Sequence, residues 1–182
     1  MLNKARDNTS KASIANVSFL NSQITSIDLP SSSADVIISN CVVNLVPSSK
    51  KHLVFKEMQR ILRPGGRVAV SDILTKKPLP EELKKNVALY VGCVAGASSK
   101  EEYEGWLEEA EFEDVVVVDA ESDLNVYTRG GESGCGGEER KCCGTETKED
   151  GGVAADMKKD LREIDLNEWA GKTSLLLGYL KR

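Results

Sequence analysis

Two apolar runs frame the chain. Residues 34–39, Ala-Asp-Val-Ile-Ile-Ser, are β-branched and nearly continuous in apolar side chains. Residues 67–73, Arg-Val-Ala-Val-Ser-Asp-Ile, repeat the pattern. Strands covered on both faces read this way. Between them, Leu53, Val54, Met58, Ile61 and Leu62 recur at helical spacing. They predict a helix with a buried stripe, capped at Ser48 or Ser49 and running to Leu62. Leu62-Arg63-Pro64-Gly65-Gly66 stops it, because proline cannot continue a helix and glycine accepts the left-handed turn that follows. Two strands joined by a helix of this length predict a parallel, right-handed βαβ crossover.

The flanks are plainer. Residues 1–13 read as a helix and 17–20 as a short strand. Pro80-Glu81-Glu82 opens a further helix whose later part is 87–91, with proline in the first turn and acids at the positive dipole end. Ser98 or Ser99 caps another helix, through about Ala110. Residues 112–119 form a strand, and 124–128 extend the sheet. Residues 157–166 read as a short polar helix and 173–180 as a last strand. Between them the composition changes. The stretch 130–152 holds more than half of the glycines and three of the five cysteines, with Glu, Lys and Thr making up most of the rest. Nothing there builds a core, so it reads as a flexible insertion. The expected organisation is an α/β domain over 1–128, a Gly/Cys-rich insertion over 129–155, and a helix and strand over 156–182 that return to the domain.

Composition narrows the chemistry. With 182 residues the chain is long enough for a real core. Its 24 basic and 29 acidic residues give a net charge of −5, which argues against a nucleic-acid module. No apolar run approaches the roughly 20 residues of a membrane helix, and the N-terminal stretch lacks the apolar core of a signal peptide. The expectation is a cytoplasmic protein with no membrane partner. Its cysteines then read as thiols rather than disulfides. His52 lies on the predicted helix and reads as solvated or partly packed.

The order strand, helix, Leu-Arg-Pro-Gly-Gly, strand, Ser-Asp-Ile is similar to the second half of class I S-adenosylmethionine-dependent methyltransferases. A narrower signal is the segment 38–47, Ile-Ser-Asn-Cys-Val-Val-Asn-Leu-Val-Pro. It closely resembles the arsenite methyltransferases around a substrate cysteine, here Cys41. Gly92-Cys93-Val94-Ala95-Gly96-Ala97 resembles that family's second substrate-cysteine segment. The resemblance runs over 1–128 and resumes near Asp165-Leu166-Asn167. It implies an α/β fold built on a Rossmann-like class I methyltransferase sheet, incomplete at the N-terminus. The family's sheet order is 3-2-1-4-5-7-6, with 17–20 as its third strand and 34–39 as its fourth. Its glycine-rich donor loop and the acidic residue that holds the ribose have no match ahead of Met1-Leu2-Asn3-Lys4-Ala5.

The resemblance implies methyl transfer from S-adenosylmethionine to arsenite or methylarsenite presented as thiol conjugates, with a cellular thiol as reductant. Trivalent arsenic is soft and prefers thiolate sulfur. Cys41 and Cys93 are the expected pair that holds it. Cys41 follows a parallel strand, at the edge of the sheet where doubly wound folds bind ligands. Cys93 lies among small residues that let two segments approach. Each cysteine taken alone also fits a small buried hydrophobe. Asn40 is either a polar contact to the donor or to the substrate loop, or a turn residue satisfying backbone groups. Gln23, Ile24 and Thr25 lie where relatives contact adenine, and equally fit an ordinary polar loop. Asp72 reads as a strand-end acid or as support from behind the site. Cys135, Cys142 and Cys143 do not match zinc spacings. They are either auxiliary arsenic ligands or exposed thiols in the insertion. Two rivals remain open: a carbon or oxygen methyltransferase of the same fold acting on a small molecule, and a non-catalytic thiol-rich binder of arsenic or another soft ion.

Overall fold

The computed structural model describes residues 1–85, 89, 93–127 and 165–180. Five strands form one sheet. Strand β1 (Ala34–Asn40) and strand β2 (Leu62–Thr75) pair in parallel, with helix α2 (Lys51–Ile61) between them in sequence. That is the predicted crossover unit. Helix α1 (Leu2–Lys11) precedes it and buries none of its residues. The short helix α3 (Glu81–Lys84) follows β2. The two-residue strand β3 (Ser98–Ser99) leads into helix α4 (Lys100–Glu109) and strand β4 (Phe112–Asp119). Helix α5 (Leu166–Trp169) and strand β5 (Ala170–Leu180) close the described chain.

The sheet order is β1-β2-β5-β4, with β5 antiparallel to both of its neighbours. This matches the 4-5-7-6 half of the expected order. Strand β5 inserts between β2 and β4 although it is last in sequence. The connection is knit from the other side too. Leu124 N–H donates to Asn167 Oδ1 at 2.7 Å, and Leu166 N–H donates to Asn125 Oδ1 at 2.8 Å.

Apolar burial falls into two clusters. One joins Val54, Phe55 and Met58 of α2 to Val68 and Val70 of β2 and to Tyr103 and Leu107 of α4. Phe55 meets Tyr103 edge-on, with ring centroids 5.6 Å apart, a favoured aromatic arrangement. The other cluster gathers Ile73, Leu79, Leu83, Leu89, Cys93, Val94, Leu124 and Leu166. The face of the sheet that carries Val36 and Ile38 is barer, with Ile38 80% exposed. No described strand pairs with the outer edge of β1.

Several expectations need correcting. Residues 17–20 are not a strand. An isolated extended segment with no neighbour has no ladder to satisfy its backbone. Ser48 and Ser49 do not cap α2. They belong to a 3₁₀ turn, Ser48–Lys50, and Lys50 precedes the helix without a side-chain cap bond. Leu53 is 38% exposed, so the buried stripe runs through Lys51, Val54, Phe55, Met58 and Ile61 instead. Strand β2 begins at Leu62, five residues earlier than predicted, because the Pro-Gly-Gly turn is drawn into it. Gly65 takes the left-handed conformation there, at φ 78°. Residues 124–127 make a 3₁₀ turn rather than a sheet extension. Ser99 caps α4 as predicted, in a reciprocal box with Glu102. The predicted insertion over 130–152, and most of the elements over 87–91 and 157–166, lie outside the described residues.

Candidate functional site

The register of β2 explains how two distant segments meet. On one flank, β1 ends with Asn40 opposite Ser71, and Cys41 N–H adds one more bond to Ser71 O at 2.8 Å. Further along the same flank, β3 begins with Ser98 opposite Leu74. The other flank is taken by β5, which pairs with Leu74 through Gly171. The chain leaving β1 and the chain entering β3 therefore pass each other over about three residues of β2, roughly 10 Å.

Both cysteines lie in that gap. Cys41 has φ 53° and Cys93 has φ 65°. Left-handed backbone is uncommon for residues other than glycine and collects at sites the surrounding structure over-determines. Here it turns Cys41 out of the strand. The Cys93 thiol donates to the Cys41 carbonyl oxygen at 3.0 Å. Cys93 is buried and Cys41 half-buried, and both pack on the second apolar cluster. Burial pushes the Cys93 thiol up to about 11, with the neighbouring Cys41, the Asp72 charge and the hydrogen bond adding to it. At neutral pH Cys93 carries its proton.

A buried polar network sits against the pair. Asn44, Lys51 and Asp72 are all fully buried. Asn44 Nδ2 donates to Ile73 O at 2.7 Å and to Cys93 O at 3.2 Å. Those two carbonyls fix the orientation of the amide, leaving Asn44 Oδ1 as an acceptor. The Tyr103 hydroxyl lies 2.9 Å from Asn44 Oδ1 and 3.0 Å from Asp72 Oδ2. Its single proton serves one acceptor at a time, and a proton on Asp72 satisfies the other arrangement. Burial raises the Asp72 carboxyl to about 6, opposed by the Tyr103 bond and the Lys51 charge. Burial raises the Tyr103 phenol as well and lowers the Lys51 ammonium. Lys51 Nζ donates to Gly96 O and, at 2.9 Å, to Ser98 Oγ. A Cβ on Gly96 would collide with the Asn44 carbonyl oxygen, so the small-residue stretch does permit the close approach.

The other expected site residues are placed separately. Asn40 ends β1 with its side chain exposed, beside Cys41. Gln23 to Ser26 form a tight turn in which Ser26 N–H donates to Gln23 O at 2.9 Å. Within it Gln23 is exposed and Ile24 and Thr25 are half-buried. Ile24 packs on the first cluster, not on the cysteine cluster. Asp72 lies inside β2 and is bonded to Tyr103, so it is not a strand-end acid. His52 is half-buried on α2. Cys135, Cys142 and Cys143 lie outside the described residues. A cleft of about 510 Å³ opens by β3, lined by residues such as Thr75, Lys77, Ser98 and Glu102, and neither cysteine lines it. Asn44, Lys51 and Tyr103 drew no role from the sequence. For Lys51 a signal existed: it shares the helical stripe of Val54, Phe55 and Met58.

Comparison with known proteins identifies the family of the domain. A family model described as a methyltransferase domain matches residues 1–111. The chain belongs to that methyltransferase domain family. The arsenite methyltransferase of Halobacterium salinarum is 40% identical over 139 residues, which cover 70% of this chain and 35% of that protein. The arsenite methyltransferase of Mus musculus is 39% identical over 85 residues, 45% of this chain and 22% of that protein. The domain thus spans about a third or less of the length of these curated relatives. An arsenic(III) S-adenosylmethionine methyltransferase from Chlamydomonas reinhardtii shares the fold, with a TM-score of 0.53 at 20% identity. That match covers 92% of this chain and 45% of the other. The YcgJ protein of Bacillus subtilis matches at a TM-score of 0.66 and 16% identity, over 100% of this chain and 79% of the other. The fold is the Rossmann-like sheet of class I methyltransferases. No helix among the described residues of the domain is long and apolar enough to cross a membrane.

Proposed function

We propose that this methyltransferase domain holds trivalent arsenic between Cys41 and Cys93 and presents it for methylation by S-adenosylmethionine. The observation that carries the reading is the Cys93 thiol 3.0 Å from the Cys41 carbonyl, across a separation of 52 residues, at the carboxyl end of a parallel strand. Similarity to arsenite methyltransferases supports it.

The ligation step balances without a base. Two thiols of the domain replace two carrier thiols on the arsenic, the proton of each incoming thiol leaving on a released carrier thiol. A raised Cys93 pKa therefore does not weaken binding at neutral pH. It slows capture, since thiolate is the attacking form. The arsenic keeps its lone pair, which is the nucleophile toward carbon. S-adenosylmethionine supplies an electrophilic methyl group when bound. The domain's own task is to fix the arsenic in line with that group. Asn40, exposed beside Cys41, and the Gln23–Ile24–Thr25 turn would face the donor's adenosine side. Arsenite or methylarsenite arrives as a thiol conjugate, and a cellular thiol in the cytoplasm serves as reductant. Cys135, Cys142 and Cys143 act as auxiliary thiols that deliver arsenic to the pair.

Mass spectrometry of arsenic products after adding arsenite, thiol and donor tests the reading, with and without alkylation of the two cysteines. Methylated arsenic that disappears on alkylation supports it, whereas stoichiometric arsenic binding with no methylated product favours the non-catalytic binder. Methyl transfer to a carbon or oxygen acceptor that survives alkylation contradicts it.

A further inference from the structure

We propose that Asn44 and Lys51 are positioning residues whose side chains hold the Cys93 segment against Cys41. The inference rests on the two-thiol reading for its purpose but not for its geometry. Cys41 needs no such help, because its own N–H bonds to Ser71 O and extends the β1–β2 ladder. The segment from Cys93 to Ala97 is different. It joins the sheet only at Ser98, beyond the cysteine. What ties it to the Cys41 side, besides the Cys93 thiol on the Cys41 carbonyl, is Asn44 Nδ2 on the Cys93 carbonyl and Lys51 Nζ on Gly96 O and Ser98 Oγ. Both donors follow Cys41 closely in sequence, so the clamp connects the two cysteine segments directly.

The network explains why these donors are buried despite the cost. A fully buried ammonium or amide persists only where its hydrogen bonds are met. Lys51 has two acceptors from the 93–98 segment, and its charge lies 5.9 Å from the Trp106 ring centroid. Asn44 spends both amide protons on carbonyls and takes its acceptor partner from Tyr103. Replacing Gly96 would separate the surfaces, since any Cβ there meets the Asn44 carbonyl. Donors and close approach act together to set the position of the second thiol relative to the first.

The test reads the two thiols separately, in the full chain with Cys135, Cys142 and Cys143 changed to serine. Iodoacetamide labelling followed by peptide mass spectrometry gives a rate for each cysteine. Lys51→Met and Asn44→Leu are expected to raise the Cys93 rate at least tenfold and to leave the Cys41 rate within twofold. Lys51→Arg, which keeps a cationic donor, is expected to return the Cys93 rate to within about threefold of the parent. Ser98→Ala removes one acceptor without touching either donor and is expected to raise the Cys93 rate about threefold. That mild change keeps the test open if the stronger variants do not fold. An unchanged Cys93 rate in Lys51→Met and Asn44→Leu, or in Ser98→Ala where those do not fold, would overturn the proposal. So would equal acceleration of both cysteines, which marks general loosening. Phenylarsine oxide affinity in the same variants separates the two ideas. Released Cys93 with affinity reduced at least tenfold supports both. Released Cys93 with unchanged affinity leaves the clamp standing and overturns the two-thiol site.

Discussion

The two cysteine segments reach the same place by different means. Cys41 is held by main chain: it continues a parallel ladder, and its position follows from the register of β1 on β2. The Cys93 segment is held by side chains that belong to its partner segment. A ladder shares its load among many backbone bonds and tolerates side-chain changes. A segment hung on two buried donors does not. Substitutions near the site should therefore act unequally on the two thiols.

The largest break comes from removing a thiol. Cys41→Ser or Cys93→Ser turns a chelate into a single bond to arsenic. Loss of the second attachment is expected to weaken phenylarsine oxide binding by about 10² to 10⁴-fold in the chain lacking the other three cysteines. Fluorescence titration or competition with a small dithiol measures it. Equal affinity would mean that the two thiols do not act on one arsenic.

Next is Tyr103→Phe. It leaves Asn44 Oδ1 and Asp72 Oδ2 buried without their shared donor. Urea unfolding should show a loss of about 1–3 kcal/mol. Labelling of Cys93 should quicken more than that of Cys41, because Asn44 carries the effect to the Cys93 carbonyl.

The protonated state of Cys93 gives a third contrast. With its thiol near 11, Cys93 alkylation should rise about tenfold per pH unit from 7 to 9, the slope of a thiol titrating far above the range. A plateau between pH 7 and 9 would show a thiolate already formed.

A smaller effect comes from Asp72. Its carboxyl is raised in the folded state, to about 6, so the native chain binds the proton more tightly than the unfolded one. That contribution to stability is fully present below the ordinary carboxylate range and is lost as pH rises through 6. Asp72→Asn removes the dependence. The variant should gain about 1 kcal/mol relative to the parent between pH 5 and pH 7.5, read from urea midpoints. The smallest effect belongs to the surface. Lys56→Ala breaks the exposed Lys56–Glu109 pair at 2.7 Å and should leave the urea midpoint and both labelling rates unchanged.

How much of this could be read from the residues depends on what kind of signal each part carries. Continuous β-branched runs and the Leu-Arg-Pro-Gly-Gly stop are local, so β1, α2 and β2 were readable. The strand at 17–20 was misread because an apolar quartet says nothing about whether a partner lies beside it. Leu53 was placed in the core by period alone, whereas Lys51 takes the buried position one turn earlier on the stripe. Cys41 and Cys93 stood out as motif residues. Asn44 stood in the 38–47 segment without a role of its own and Lys51 outside it, because a donor is recognised by its acceptors, and those are carbonyls and a hydroxyl some 29 to 49 positions away in the chain. Tyr103 lies within the predicted helix through Ala110, where nothing in the sequence marks its hydroxyl as the partner of Asn44 and Asp72.

Native mass spectrometry with thiol mapping tests the central claim most directly, using the chain in which Cys135, Cys142 and Cys143 are serine. Incubation with phenylarsine oxide should give one phenylarsenic per chain, with loss of one water and protection of both Cys41 and Cys93 from alkylation. An adduct that leaves either cysteine open to alkylation, or two arsenicals on one chain, would contradict it.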